Sequence, residues 1–383
     1  MKNLRLLLFF LTMSASLCGW CYDFEKGGIY FNILSEQDKT VEVTDYEEEC
    51  SEYSIPAEVN GYAVISIGKE AFLYCDGLKS INIPSSVTTI GAHAFDGCEN
   101  LTSIDIPNSV TTIGKGAFYE CQNLTSVVIQ NGITNIEEKV FYGCISLTSV
   151  AIPNGVTSIG EYAFYGCKEL KSINIPGSVT TIGREAFDGC QSLEYVTISD
   201  GVTNIGERAF EGCGLKSINI PGSVTTIAKA VFCSCKSLES VTISDGVTSI
   251  GEYAFEGCEN LTSVVIPNGV TTIENLTFLK SGLQSIYISS SVTNIKKDAF
   301  KGCDELATIV VDKNNKIYDS RNNCNAIIYT ANDSLAIGFN TTIIPEGVKT
   351  IGDNAFSGRY GLTSVIIPNS VTTITDKAFY GCI

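Results

Sequence analysis

One short phrase, repeated through most of the chain, limits what this sequence can fold into more than any other feature. Residues 106–128 read Ile-Pro-Asn-Ser-Val-Thr-Thr-Ile-Gly-Lys-Gly-Ala-Phe-Tyr-Glu-Cys-Gln-Asn-Leu-Thr-Ser-Val-Val. A fixed period of roughly 23 residues indicates a solenoid, in which each repeat, or rung, stacks on its neighbours. The phenylalanine recurs at a nearly constant interval, with one longer gap, at Phe72, Phe95, Phe118, Phe141, Phe164, Phe187, Phe210, Phe232, Phe255, Phe278, Phe300, Phe356 and Phe379.

The order of apolar and polar residues within one repeat predicts a short buried strand. Leu101, Ile104 and Ile106 are separated by polar residues, so they would face the interior. Pro107 ends the strand because it has no N–H to donate. Phe118 then begins a tight helical or 3₁₀ turn and fills the interior. We therefore expect a β-rich repeat solenoid of about thirteen rungs with parallel strands.

Residues 1–21 are typical of a signal peptide. Lys2 and Arg5 precede an apolar run at 6–13, and small residues follow at 14–16. This order is that of an export signal, and the run is too short to cross a membrane. No later apolar run reaches the roughly 18 residues that a membrane helix needs. We expect a secreted or cell-surface protein whose mature chain is not inserted in a membrane.

Residues 22–61 do not follow the repeat and predict a small N-terminal β cap. The stretches 29–34 and 40–44 have the composition of two strands joined by a polar turn. An open solenoid end exposes apolar side chains and unpaired strand edges, which a cap covers. Residues 62–383 would then form the solenoid proper.

The long interval between Phe300 and Phe356 predicts an insertion in the solenoid. Two apolar stretches, at 326–329 and 335–337, flank a polar turn and predict a β-hairpin within about 312–341. We expect this hairpin to project from the edge of the solenoid. Segments that interrupt a regular scaffold often carry function. The alternative is a rung that only adds bulk to one edge.

The pattern Ile-Pro-x-x-Val-Thr-x-Ile-Gly-x-x-Ala-Phe-x-Gly-Cys-x-x-Leu-x-Ser resembles the BspA-like leucine-rich repeat. The resemblance covers about residues 62–383, and its repetition makes it specific. It implies a leucine-rich-repeat arc. It also implies an exported or surface protein that adheres to host proteins or to other cells.

Charge and composition exclude several functional classes. The chain has 42 acidic and 25 basic residues, a net charge of −17, which disfavours nucleic acid and anionic membranes as partners. The one histidine, His93, has no partners at the spacing of a catalytic triad or metal site and predicts a surface turn residue. We expect no enzyme activity, no cofactor and no metal.

Eleven of the sixteen cysteines occupy the same position of the repeat, three residues after the phenylalanine. Stacking brings them close together, so disulfides between neighbouring rungs are geometrically conceivable. However, Ser281 and Arg359 occupy this position in two repeats, so bonding is not required. A ladder of buried thiols that pack as small apolar groups is the favoured interpretation.

The outward side chains of the strands are the remaining candidate site. Most are small, which favours a flat, open surface suited to a protein or an extended polymer. These side chains cover the concave face of the predicted solenoid. We expect this face and the insert to bind protein partners, with Tyr318, Arg321 and Tyr329 as contacts from the insert. The candidate outward residues are Asn82, Asp105, Val128, Ala151, Asn174, Thr197, Asn219, Thr242, Val265, Tyr287, Val310 and Ile366.

These features favour an exported, non-enzymatic binding protein, an adhesin for host or other extracellular proteins. A glycan-binding surface protein is one alternative. It would need aromatic platforms, and Tyr287 is the aromatic residue in this set. A structural scaffold in a surface layer is a second alternative.

Overall fold

The computed structural model describes residues 22–47 and 51–382, so the predicted signal peptide at 1–21 lies outside the described residues. The chain forms a β-solenoid of about 14 turns of about 23 residues, with parallel strands and almost no helix. The repeat solenoid predicted from the sequence is therefore confirmed. One turn beyond the thirteen phenylalanines lies in the long interval, where Phe339 packs against Phe300.

One side of the solenoid is built from strands that begin, in most rungs, at the serine of the repeat. Equivalent residues pair across rungs: Val127 lies beside Ile104 on one side and Val150 on the other. We call this set the first ladder. Its strands are Glu52–Ser54, Ser80–Asn82, Ser103–Ile104, Ser126–Val128, Ser149–Ala151, Ser172–Ile175, Tyr195–Ile198, Ser217–Ile220, Ser240–Ile243, Ser263–Ile266, Ser285–Ile288 and Thr308–Val311.

Each regular repeat also contributes a second, shorter strand that the sequence did not predict. Thr112–Ile113 pairs in parallel with Thr89–Ile90, with Ile113 buried. β-branched residues suit this extended backbone. The strands of this second ladder are Tyr62–Ile67, Thr89–Ile90, Thr112–Ile113, Asn135–Ile136, Ser158–Ile159, Thr181–Ile182, Asn204–Ile205, Thr226–Ile227, Ser249–Ile250, Thr272–Ile273 and Asn294–Ile295.

The predicted tight turn at Phe118 closes the rung. The Cys121 N–H donates to the Phe118 carbonyl at 3.3 Å, the i→i+3 pattern of a 3₁₀ turn. The Phe118 N–H instead donates to the carbonyl of Val140, in the next rung, at 2.9 Å. Because bonds within a rung alternate with bonds between rungs, the turn does not extend into a helix. The one 3₁₀ helix within residues 22–47 and 51–382 spans Arg321–Asn323.

The core is a continuous stack of phenylalanine rings. From Phe72 to Phe300 the rings lie nearly parallel, with neighbouring centroids 5.2 to 5.8 Å apart. All of them are buried. Each ring is covered by the rings above and below, so a single repeat cannot bury its own phenylalanine.

The cysteines form a second buried column. The Sγ of Cys121 donates to the Phe95 carbonyl at 3.1 Å, and the same bond recurs from rung to rung. Burial raises the pKa of Cys121 well above its usual range. The thirteen cysteines that the structure describes are free thiols, so the ladder of buried thiols is confirmed and the neighbouring disulfides are not found.

Additional strands cover the start of the second ladder. Ile29–Ser35 pairs antiparallel with Phe24–Lys26 and with Thr40–Tyr46. Thr40–Tyr46 in turn pairs in parallel with Tyr62–Ile67, the first strand of the second ladder. A short strand, Glu58–Val59, also pairs with Tyr62–Ile67. The hairpin therefore extends the ladder and leaves no open edge at Tyr62–Ile67.

The segment at about 312–341 forms the hairpin that its sequence predicts. Ala326–Tyr329 pairs antiparallel with Tyr318–Asp319 and with Ser334–Gly338. Ser334–Gly338 then pairs in parallel with Thr350–Ile351, which pairs with Thr373–Ile374. Regular rungs therefore resume directly on the hairpin.

The expectation that this hairpin projects from the solenoid edge is wrong. Ile327, Ile328 and Leu335 are fully buried, and Ile337 is nearly so. Successive apolar residues in Ala326–Tyr329 place buried groups on both faces, which is the pattern of an interior strand. The hairpin fills an interior layer, and we call residues 312–359 the break.

Candidate functional site

The predicted outward row, with the exception of Ile366, lies along the surface of the first ladder. Eleven of its twelve residues are exposed, and Tyr287 is half-buried. Val128 and Val265 expose 57% and 62% of their surface, although valine is usually buried in folded proteins. Residues in successive parallel strands lie about 4.8 Å apart. The row thus presents a line of regularly spaced side chains.

The two C-terminal members of the row differ in whether they lie in a paired strand. Val310 pairs with Tyr287 within the ladder and is 44% exposed. Ile366 is 87% exposed, but it lies beyond Thr308–Val311, the last strand of the ladder, in a segment without strand pairing. Ile366 therefore lies outside the continuous surface that the sequence predicted.

Tyr287 is fixed by a hydrogen bond rather than left free. Its hydroxyl donates to the Asp312 carboxylate at 2.5 Å. This bond lowers the pKa of Asp312 and raises the pKa of Tyr287. The ring is held against the start of the break, and its hydroxyl is already engaged.

An exposed aromatic residue that the sequence analysis missed stands beside the outward row. Tyr195 occupies the position that is serine in the neighbouring strands, where Ser172 and Ser217 are its partners, and it is 58% exposed. Lys216 lies over its ring, with Nζ 5.8 Å from the centroid, and also pairs with Glu194 at 2.7 Å. The signal was available, because a tyrosine replaces a serine at a repeated position.

Of the three insert residues predicted as contacts, Tyr318 is not available to a partner. It is 2% exposed, and its hydroxyl accepts a hydrogen bond from the Ile295 N–H at 3.0 Å. Asn294–Ile295 is the last regular strand of the second ladder, so Tyr318 replaces the backbone partner that the next rung would supply. Tyr318 thus satisfies the backbone of the second ladder at the point where the break begins.

Arg321 is exposed in part, but its charge is satisfied within the protein. Its guanidinium pairs with Asp319 at 2.6 Å and with Asp333 at 2.8 Å. Hydrogen bonds to these carboxylates raise the pKa of Arg321. Tyr329 is 39% exposed, with its ring 5.2 Å from that of Tyr318. Tyr329 is thus the predicted insert residue with a free surface.

A cleft opens where the hairpin interrupts the solenoid. Its volume is about 450 Å³, and it lies between residues 294–301 of the last regular rung and residues 352–359 of the resumed rung. The hairpin forms the floor, with Tyr329 in the lining. This volume falls within the range of small-molecule sites, about 300 to 1,000 Å³. The cleft was not predicted, because it depends on contacts that occur once in the chain.

The histidine of the chain lies in a turn and contacts one carboxylate. Nδ1 of His93 lies 2.9 Å from Oδ2 of Asp96, and both lie in one turn, as expected of a turn residue. Within residues 22–47 and 51–382, no three His, Cys, Asp or Glu side chains are grouped so that they could hold a metal ion. In the same ranges, no helix has the length and apolarity needed to cross a membrane.

The repeats match the family profile described as the BspA type leucine rich repeat region (6 copies), over residues 50–171, 111–239, 225–335 and 334–383. The chain belongs to the BspA-type leucine-rich repeat family. The resemblance inferred from the repeat is therefore confirmed. Family membership supports a binding or surface role. Among proteins of curated function, none matches the chain.

The chain is also similar to solved structures of leucine-rich repeat proteins. One from Bacteroides ovatus is 29% identical, with a TM-score of 0.68 over 94% of this chain and 93% of that one. A leucine rich cell surface protein from Faecalibacterium prausnitzii is 28% identical over 77% of this chain and 96% of that one, with a TM-score of 0.47. The pneumococcal vaccine antigen PcpA, 18% identical with a TM-score of 0.50 over 93% of this chain and 94% of that one, shares the fold.

Proposed function

We propose that this BspA-type protein is an exported, non-enzymatic adhesin that binds extracellular proteins through the outward row of the first ladder. The observation that supports it most is the exposure of the row itself. Val128, Val265 and Val310 are exposed in strands whose alternate residues are buried. Val265 and Val310 flank Tyr287 in three neighbouring strands, and grouped exposed apolar side chains are typical of protein-binding surfaces.

The shape of the row favours a protein over a small molecule. Its members include small and polar residues such as Ala151, Asn174 and Thr197, all exposed, so the surface is open. Small ligands need concave sites that cover most of their surface. Tyr195 adds an exposed aromatic ring, the residue class most enriched among binding hot spots.

Export and surface location are supported by three observations. Residues 1–21 have the composition of a signal peptide. The chain belongs to the BspA-type family, and membership favours an exported or surface protein. The chain carries a net charge of −17, which suits a protein that stays in solution or faces protein partners.

The test is direct binding of the mature chain to a panel of immobilised extracellular matrix proteins by surface plasmon resonance. The double variant Val128→Asn/Val265→Asn removes two apolar groups from the row. Asparagine already stands at this position at Asn82, Asn174 and Asn219, so the fold should tolerate it. We expect the double variant to bind at least about tenfold more weakly, which corresponds to about 1.4 kcal/mol.

The matched control places the same residue type on the second ladder. Thr112→Asn/Ser249→Asn changes two exposed positions where other rungs carry Asn135 and Asn204. This control should bind as the wild type does. Absence of binding to every matrix protein, or equal loss in both double variants, would contradict the proposal.

A further inference from the structure

Arg359 is a buried cation without a carboxylate partner, and it lines the cleft at the break. It is 6% exposed. Its Nε donates to the Gly338 carbonyl at 3.0 Å, and its Nη1 donates to the Phe300 carbonyl at 3.1 Å. The ring of Phe339 lies 4.4 Å from the guanidinium carbon. No carboxylate in the described part of the chain lies within ion-pair distance of Arg359.

A buried guanidinium in this state still carries its charge. Burial lowers the pKa of Arg359, with Asp298 and Asp304 acting from a distance in the opposite direction. Arginine nevertheless stays protonated in proteins at neutral pH. Nη2 donates to none of the residues that the structure describes, so its two N–H groups have no acceptor within them. Buried charges are normally paired, because an unpaired one is costly.

Three lysines add to the positive charge of the same cleft. Lys296, Lys297 and Lys301 line it, and all are exposed. None of them forms an ion pair with a residue in the described ranges, although the chain as a whole carries a net charge of −17. Two carboxylates, Asp298 and Asp353, share the lining. Cations therefore outnumber anions here, which is the reverse of the balance in the whole chain.

Arg321 provides a comparison, because its charge is neutralised within the protein. It lies in the same break, and two aspartates bind its guanidinium at 2.6 and 2.8 Å. Arg359 is more deeply buried and has only carbonyl acceptors and an aromatic ring. The two arginines of the break therefore differ, because carboxylates neutralise Arg321 and none pairs with Arg359 in the described chain.

The remaining lining favours a ligand with hydroxyl groups and an apolar face. The Tyr329 ring offers a partly exposed surface of the kind that packs against a sugar ring. The side-chain amides of Asn294 and Asn354 also line the cleft, and neither makes a hydrogen bond within the described residues. A cleft of about 450 Å³ has room for a ligand much larger than a single ion.

We propose that the cleft at the break binds an anionic saccharide, a sugar ring that carries a carboxylate or a sulfate. The acid group is bound by Nη2 of Arg359 and by the lysines, and Tyr329 packs against the ring. This site is separate from the outward row, so it stands whether or not that row binds a protein.

The experiment titrates the full mature chain with three ligands that share one ring. Glucuronic acid carries a carboxylate, glucose 6-sulfate carries a sulfate, and glucose carries neither. Calorimetry and saturation-transfer NMR should show that at least one anionic sugar binds about tenfold or more tightly than glucose. Comparison of the two anionic sugars tells which acid group the site takes. Binding should weaken as salt is added, because exposed lysines contribute.

Charge reversal at exposed lysines tests the location without disturbing the core. Lys297→Glu/Lys301→Glu should lower the affinity for the anionic sugar about tenfold or more. The control Lys168→Glu/Lys171→Glu makes the same change in net charge at two exposed lysines far from the cleft and without ion pairs in the described chain. It should change the affinity less than about twofold. Tyr329→Ala should weaken both anionic sugars to a similar degree.

Three results would overturn the proposal. Glucose could bind as tightly as the anionic sugars, both double variants could lose affinity equally, or neither anionic sugar could bind. Triglutamate serves as a competitor of another class. If triglutamate binds at the cleft and the anionic sugars do not, the site takes acidic peptides and the proposed saccharide is wrong.

Discussion

The regular rungs and the break differ in how they pack the phenylalanine rings and satisfy the carbonyls of the same residues. In the regular rungs, Phe278 and Phe300 stack in parallel at 5.6 Å, and the Cys303 thiol donates to the Phe278 carbonyl at 2.9 Å. At the break, Phe300 meets Phe339 edge-on, with planes at 66° and centroids 6.0 Å apart. Arg359, at the cysteine position of its own rung, reaches back to the Phe300 carbonyl.

This difference explains why an arginine replaces a cysteine. The regular thiol bonds a carbonyl 26 residues earlier, whereas Arg359 bonds one 59 residues earlier, across the inserted layer. A cysteine is too short to reach across that layer, and the guanidinium has enough donors to satisfy Gly338 on the way. Repetition thus supplies stability through many equal contacts, and the break replaces them with individual ones that leave a charged cleft.

Loss of one ring from the regular stack should have the largest effect on stability. Phe164 is fully buried between Phe141 and Phe187, at 5.3 and 5.2 Å. We expect Phe164→Ala to lower the free energy of unfolding by about 3–5 kcal/mol, measured by urea denaturation. Tyr380→Ala, at a ring that is 68% exposed, should cost less than about 0.5 kcal/mol. Similar costs for the two variants would contradict the account of the stack.

Replacing Arg359 with the cysteine of the repeat should have the next largest effect on the free energy of unfolding. Arg359→Cys removes the hydrogen bonds that the guanidinium donates to the Phe300 and Gly338 carbonyls, although the Phe300 carbonyl keeps the Cys303 N–H at 3.2 Å. We expect a loss of about 2–4 kcal/mol in the same denaturation assay, since each hydrogen bond from a charged group contributes about 1.5–3 kcal/mol and removal of a buried charge offsets part of that loss. A neutral or stabilising Arg359→Cys would show that the break has no need of the longer side chain.

The carboxyl group of Asp188, in the regular rungs, lies where the fold disfavours its ionised form. Burial, with Glu211 and Glu185 nearby, raises the pKa of Asp188 to about 7. The folded state then holds a proton that the unfolded chain releases at lower pH, so stability falls as pH rises from about 4 to about 7.

Asp188→Asn removes this titration. Its melting temperature should exceed that of the wild type at pH 8 and should be close to it at pH 4, as measured by thermal denaturation. The effect should be modest because Asp188 is only half-buried. Glu99→Gln removes one carboxylate at an exposed position and serves as the control. An equal shift at both pH values would contradict the assigned cause.

A backbone change in the regular rungs should give the smallest effect. Ala230 has φ +55°, at the repeat position where Gly116 has φ +61°. A left-handed conformation costs an alanine about 1–2 kcal/mol, and glycine avoids this but loses more entropy on folding. Ala230 is also buried, so loss of its methyl group costs about 0.8 kcal/mol. We expect Ala230→Gly to change the free energy of unfolding by less than about 0.5 kcal/mol in urea denaturation, because these terms nearly cancel. A clear destabilisation would mean that the strain is relieved elsewhere.

The sequence predicts the positions of residues that recur in the rungs, but it does not predict contacts that occur once in the chain. The period alone places Phe164 and Cys167 in the core, because each recurs at an equivalent position in rung after rung. Tyr318 and Arg359 could not be placed in this way, since each makes a side-chain hydrogen bond to a distant backbone group that the equivalent residues of the regular rungs do not make. Tyr195 was accessible to sequence reasoning as the aromatic exception among serines, but only the structure shows its exposure.

The most direct test of the central claim uses Tyr195→Ser, which restores the repeat residue at an exposed position. Departures from the repeat should carry binding, while the repeated residues carry stability. For the matrix protein that the wild type binds most tightly, we predict at least about a tenfold loss of affinity. The free energy of unfolding should stay within about 0.5 kcal/mol. Unchanged affinity, with unfolding also unchanged, would contradict the claim.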